Sequence, residues 1–153
     1  PHMLMGVFHA DLVGIQARVL QRLGLKHALV VYGKDGLDEI SLEGPTMIGE
    51  LKDGAIQEYE ISPQDFGLKA CPTSSFKVSN PEESMKIVLG VLDGESGPAQ
   101  DIVCLNAGAA LYAADLAKNI GEGLEMARAA IANGHAKAKL AEFIKTTQTL
   151  AQQ

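Results

Sequence analysis

Residues 3–32 constrain the fold more than any other part of the chain. MLMGVF (3–8) reads as a short buried strand. Leu12, Ile15, Val19, Leu20 and Leu23 then recur at helical spacing over 11–23, and Gly24 suits the position just past a helix end. HALVVY (27–32) follows, a continuous apolar run of the kind found in strands covered on both faces. Strand, helix and strand in so short a span predict a parallel pair joined by a right-handed crossover. The fold class is therefore α/β.

The middle of the chain changes character. TMIGEL and AIQEYEI flank Lys52-Asp53-Gly54, which predicts an antiparallel hairpin over 46–61. Its second strand puts Ile56, Glu58 and Glu60 on one face and Gln57, Tyr59 and Ile61 on the other. Residues 69–79 read as an irregular connection. The last half is helical. Asn80-Pro81-Glu82-Glu83 combines a cap residue, proline at the first helical position and an acid at the third. Met85, Val88, Leu89 and Leu92 follow on one face of a helix near 82–93. Residues 99–117 are apolar almost all round and predict a buried helix. A last helical stretch, 122–150, breaks at Asn133-Gly134. The expected architecture is a mixed, mostly parallel sheet with an antiparallel hairpin and a helical C-terminal layer, without an internal domain boundary.

Composition excludes several classes. No apolar run approaches the ~18 residues that a membrane-spanning helix requires. The start, PHMLMGVFHADLVG, lacks the basic leader of an export signal and reads as native sequence leading into the first strand. The formal charge of −6 and scattered Lys and Arg argue against nucleic acid. Cys71 and Cys104 form no CxxC and read as two reduced thiols, consistent with the cytoplasm.

The candidate site is Asp38-Glu39. Adjacency alone is no evidence, since 19 acidic residues in 153 give ~2 adjacent pairs by chance and the chain has two. Glu82-Glu83 already has work at a helix N-terminus. Asp38-Glu39 instead lies just past the carboxyl end of a predicted parallel strand, where open α/β sheets bind their ligands. Two readings stay open at this point: solvated loop charge, or a site for Mg²⁺. That ion takes one or two protein carboxylates and completes its shell with water and phosphate oxygens. Gly33-Lys34 lacks the GxxxxGK[ST] pattern and reads as a turn. Histidines 2, 9, 27 and 135 show no metal-ligand spacing and read as structural or surface residues. Asn106 reads as a polar group bonded to nearby backbone. Lys137, Lys139, Glu142 and Lys145 read as a solvated helix face.

GVFHADLVGIQARVLQRLG, HALVVYGKDGLDEISL, and ELKDG with IQEYEISPQDFGL together resemble the C-terminal half of the anthranilate phosphoribosyltransferases. IVCLNAGAALYAADLA and EGLEMARAAIANGHAKAKLAEFI resemble the closing helices of that family, so the resemblance runs through the chain in order. GKDGLDEIS is its most specific piece. The resemblance implies that residues 1–153 are the C-terminal portion of a phosphoribosyltransferase-like α/β domain. It implies transfer of phosphoribosyl from phosphoribosyl pyrophosphate to anthranilate in tryptophan biosynthesis. Asp38 would then hold one Mg²⁺ and Glu39 would serve two. It further implies a homodimer formed through an N-terminal helical domain that this chain lacks. The Gly-Thr-Gly-Gly-Asp phosphate loop, the Lys-His-Gly-Asn segment and the arginine that meets anthranilate are also missing. No catalytic side chain can be named, and Tyr32 stands where many relatives have His. Two alternatives remain: a pyrimidine nucleoside phosphorylase or paralogue of the same fold, and a non-catalytic α/β module.

Overall fold

The computed structural model describes residues 1–152. Strands β1 (His2–Gly6) and β2 (His27–Gly33) pair in parallel, joined by helix α1 (Asp11–Arg22). Strands β3 (Thr46–Lys52) and β4 (Ala55–Ile61) form the hairpin, and the sheet order is β1-β2-β3-β4. Asp53 and Gly54 both take positive φ, 50° and 77°, the two-residue turn whose twist matches the flanking strands. The sheet is mixed, as expected, but its balance is not mostly parallel. Among the described residues only β1–β2 is parallel, because β3 turns straight back beside β2 and β4 beside β3.

Helices α2 (Pro81–Leu92), α3 (Pro98–Ala113), α4 (Ile120–Ala132) and α5 (His135–Leu150) follow. The start of α2 is capped as its sequence predicts, with Asn80 Oδ1 accepting from the Glu83 backbone and Glu83 accepting from Ser79, both at 2.8 Å. The helix expected over 99–117 stops at Ala113. There Asp115 turns left-handed (φ 58°), and the amides of Asp115 and Leu116 bond back to Tyr112 and Leu111. Among the described residues, no helix is long and apolar enough to cross a membrane.

β2 explains its own unbroken apolar run. Leu29 and Val31 face the layer of α3 and α4, while Ala28 and Val30 face α1, and all four are buried. Burying each Leu or Val contributes about 1.5–3 kcal/mol. α3 and α4 touch backbone to backbone, since a Cβ on Gly108 would lie 2.4 Å from the Leu124 nitrogen.

Two apolar stripes do not sit as the spacing suggested. α1 buries Val13, Gly14, Ala17 and Leu20, while Ile15, Val19 and Leu23 face outward. α1 approaches β3 so closely that a Cβ on Gly49 would meet Val13 at 2.9 Å, and this selects the smaller residues. α2 contacts the body through Gly90 and Val91, leaving Met85, Val88 and Leu89 on the surface. Hydrophobic spacing marks an apolar face without saying what covers it.

Candidate functional site

Asp38 and Glu39 lie on the loop between β2 and β3, at the carboxyl end of the parallel pair. The loop is built to hold them there. Asp35 Oδ2 accepts from the hydroxyls of Ser41 (2.7 Å) and Thr73 (2.6 Å), tying the loop to the short 3-10 turn Thr73–Phe76. Burial alone would raise the Asp35 carboxyl, but the bonds from Thr73 and Ser41 outweigh it and hold it below the usual carboxylate value. Glu43 adds a second tie, accepting from the Thr73 amide at 2.7 Å.

From the other side α3 reaches in. The Asn106 amide closes a two-point clamp on Ile40, accepting from its N–H and donating to its C=O, each at 2.9 Å. Asn106 also donates to Ile102 O at 3.0 Å. Ile40 is buried, so this clamp is what satisfies its backbone. β1 contributes by subtraction. A Cβ on Gly6 would lie 1.6 Å from the Asp38 carbonyl oxygen, so only glycine lets the loop settle over the strand end.

Asp38 and Glu39 are both exposed, and their carboxyl groups come within hydrogen-bonding reach of each other. The Glu39 carboxyl is raised by burial, then by the charge of Asp38 beside it. Among the described residues neither carboxylate forms an ion pair, and Lys34 pairs with Glu60 instead. Two crowded negative groups with no protein cation form a donor set that suits a hard divalent ion. Glu39 also borders an open, apolar groove of about 360 Å³ lined by Leu37, Phe76, Ile87, Ile102 and Val103.

The bond from Asn106 to Ile102 is the local backbone contact that its buried position suggested. Its grip on Ile40, 66 residues away, had no signal in spacing. Asp35, in GKDG, and Gly6, in GVFH, carry no such signal in the sequence. Gly33-Lys34 is a turn, and the charges on α5 are exposed.

Residues 1–137 match the family described as "Glycosyl transferase family, a/b domain". The chain belongs to this family. Among its curated members, the chain is 68% identical over 146 residues to an anthranilate phosphoribosyltransferase from Polynucleobacter necessarius subsp. necessarius (strain STIR1). That match covers 95% of this chain and 43% of the relative. It is 62% identical over 151 residues to the enzyme of the same name from Acidovorax sp. (strain JS42), covering 99% and 44%. The crystal structure of the Thermus thermophilus anthranilate phosphoribosyltransferase superposes with a TM-score of 0.82 at 36% identity, covering 92% of this chain and 41% of that one. The Saccharomyces cerevisiae enzyme, described in complex with PRPP and Mg, shares the fold at 24% identity and a TM-score of 0.85, covering 97% and 43%. The chain thus spans under half the length of the relatives that it matches.

Proposed function

We propose that the protein containing this chain is an anthranilate phosphoribosyltransferase in which Asp38 and Glu39 hold Mg²⁺ for phosphoribosyl pyrophosphate. The carboxylate pair itself carries the reading. It is exposed, uncompensated by any described cation, and sits at the ligand-binding end of a parallel strand pair. The chain around it is 68% identical to a relative of that name. The yeast enzyme of the same fold, described with PRPP and Mg, supports a ligand that brings its own phosphate oxygens.

In the proposed reaction the anthranilate amine forms a C–N bond at the ribose anomeric carbon. The C–O bond to pyrophosphate breaks, pyrophosphate leaves with the electron pair, and the amine gives up a proton. Charge builds on the leaving group while the ribose becomes cation-like. Mg²⁺ held by Asp38 and Glu39 would neutralise that charge and orient the leaving group. The residues of this chain supply position. Asp38 and Glu39 offer the oxygen ligands, while Asn106 and Asp35 hold the loop in place before a ligand arrives. A cytoplasmic location agrees with two cysteines that are both free thiols.

In the complete protein, Asp38→Asn and Glu39→Gln should each lower turnover by ~10²–10³, about 3–4 kcal/mol of transition-state stabilisation, with an unchanged melting temperature. Glu39→Gln should be the more severe. The control, Glu82→Gln with Glu83→Gln, should leave activity near wild type. Wild-type turnover in both pairs would identify Asp38 and Glu39 as solvated loop charges. The 153-residue chain alone should show no turnover, because it has the carboxylates without a phosphate loop.

A further inference from the structure

The other end of the parallel pair carries a second cluster of donor groups. The β1–β2 register sets His2 directly beside His27, and the end of α3 brings Asp115 over both. His27 Nδ1 donates to Asp115 Oδ1 at 2.6 Å. His2 Nδ1 donates to the Ala113 carbonyl at 2.8 Å and lies 3.6 Å from Asp115 Oδ2. One donor atom from each of the three side chains lies within 4.8 Å of the other two. The seven residues of β2 put this cluster about 20 Å from the Asp38-Glu39 loop.

Two further features suit a metal ion. His27 Nε2 faces Glu50 Oε1 at 3.2 Å, and Glu50 is fixed in turn by the hydroxyls of Tyr59 (2.9 Å) and Tyr112 (2.6 Å). A carboxylate on the far nitrogen is the usual partner of a metal-bound histidine, because it leaves the near nitrogen's lone pair for the ion. Asp115 is also held left-handed (φ 58°) at a helix end where glycine is usual. That backbone is what turns its carboxylate toward His27. The nearby cation, Lys52, is engaged by Tyr112, 3.2 Å from its hydroxyl and 4.5 Å above its ring.

We infer that His2, His27 and Asp115 form a Zn²⁺ site independent of the Asp38-Glu39 pair. Two imidazole nitrogens and one carboxylate form a recurrent zinc donor set, leaving the fourth position to water. Ligands held ~2.0–2.1 Å from a tetrahedral ion sit about 3.3 Å apart, so small side-chain rotations complete the site. An ion at Nδ1 takes each ring as its neutral Nε2–H tautomer. A neutral ring moves its Nδ1 proton to Nε2 with no net loss, and an imidazolium ring releases one proton to solvent. The site's inner wall is enclosed, with the His27 side chain 1% exposed and that of Glu50 11%. Its outer wall is open, with the side chains of His2 and Asp115 34% and 54% exposed, so solvent Zn²⁺ has a path in.

The test is equilibrium dialysis of the complete protein against micromolar Zn²⁺ with millimolar Mg²⁺ present, followed by elemental analysis. Wild type should retain one more Zn²⁺ per chain than His2→Gln or Asp115→Asn, both changes at exposed positions with little reason to unfold the protein. Each should weaken binding at least about 100-fold, and Glu50→Gln about 10–100-fold, as for the hydrogen-bond partner of a ligand. Asp38→Asn with Glu39→Gln, and separately Cys71→Ser, should retain the ion. Equal zinc in wild type, His2→Gln and Asp115→Asn would overturn the site, as would loss of the ion only in Cys71→Ser or in the Asp38/Glu39 variant. In either case the cluster is an ion pair around a buried histidine.

Discussion

Replacing Asn106 with alanine tests whether one side chain on α3 holds the carboxylate loop. The wild-type amide satisfies both the N–H and the C=O of Ile40, whose side chain is almost wholly buried. Alanine leaves both groups unpaired. A buried polar group without a partner costs about 1–3 kcal/mol, so two give ~2–6, and water entering from the adjoining groove brings this toward ~3 kcal/mol. For a protein of 150–250 residues ~3 kcal/mol lowers Tm by about 6–12 °C, and by less in a longer chain. Asn80→Ala, which removes an ordinary helix cap, should cost only about 1 kcal/mol. Asn106→Asp keeps the acceptor for Ile40 N–H, loses the donor to Ile40 C=O and adds a third carboxylate near the pair. It should therefore reduce Mg²⁺-dependent turnover more than alanine for the same loss of stability. Thermal and urea unfolding, with turnover at varied Mg²⁺, provide the readouts. An Asn106→Ala protein that melts within about 2 °C of wild type would refute the clamp, whatever its activity.

Gly6→Ala should lower turnover at least tenfold, because its Cβ would collide with the Asp38 carbonyl; activity within twofold of wild type would mean that the loop shifts freely. Asp35 has a lowered carboxyl in the folded state, so its contribution to stability is present above the unfolded value near 4 and is lost as pH falls below it. Thr73→Val should flatten that acid-side slope in urea unfolding measured from pH 6 to pH 3, and an unchanged slope would remove Asp35 from the account. Burial is the main cause raising the Cys104 thiol, and the residue is fully enclosed, while Cys71 is partly open. Peptide mapping after brief alkylation should therefore find Cys71 modified and Cys104 protected until denaturant is added.

Local chemistry made several elements legible in the sequence. The alternation of β4, the Asp53-Gly54 turn, the Asn80-Pro81 helix start and the break at Asn133-Gly134 all depend on residues within a few positions of one another. So does the continuous run of β2, which records cover on both faces without naming what covers them. The Asp38-Glu39 pair was visible for the same reason, as two neighbours after a strand. What the sequence by itself could not carry was which distant groups meet. Asn106 reaches Ile40 across 66 residues, and Asp115 reaches His27 across 88. Gly6 is explained only by the Asp38 carbonyl lying over it. Even the parallel register that sets His2 beside His27 has no local signature, because strand pairing is chosen by how whole apolar faces pack. Tertiary structure decided these contacts because its cost and reward lie in closing the chain and burying surfaces together, and no short window of residues contains either.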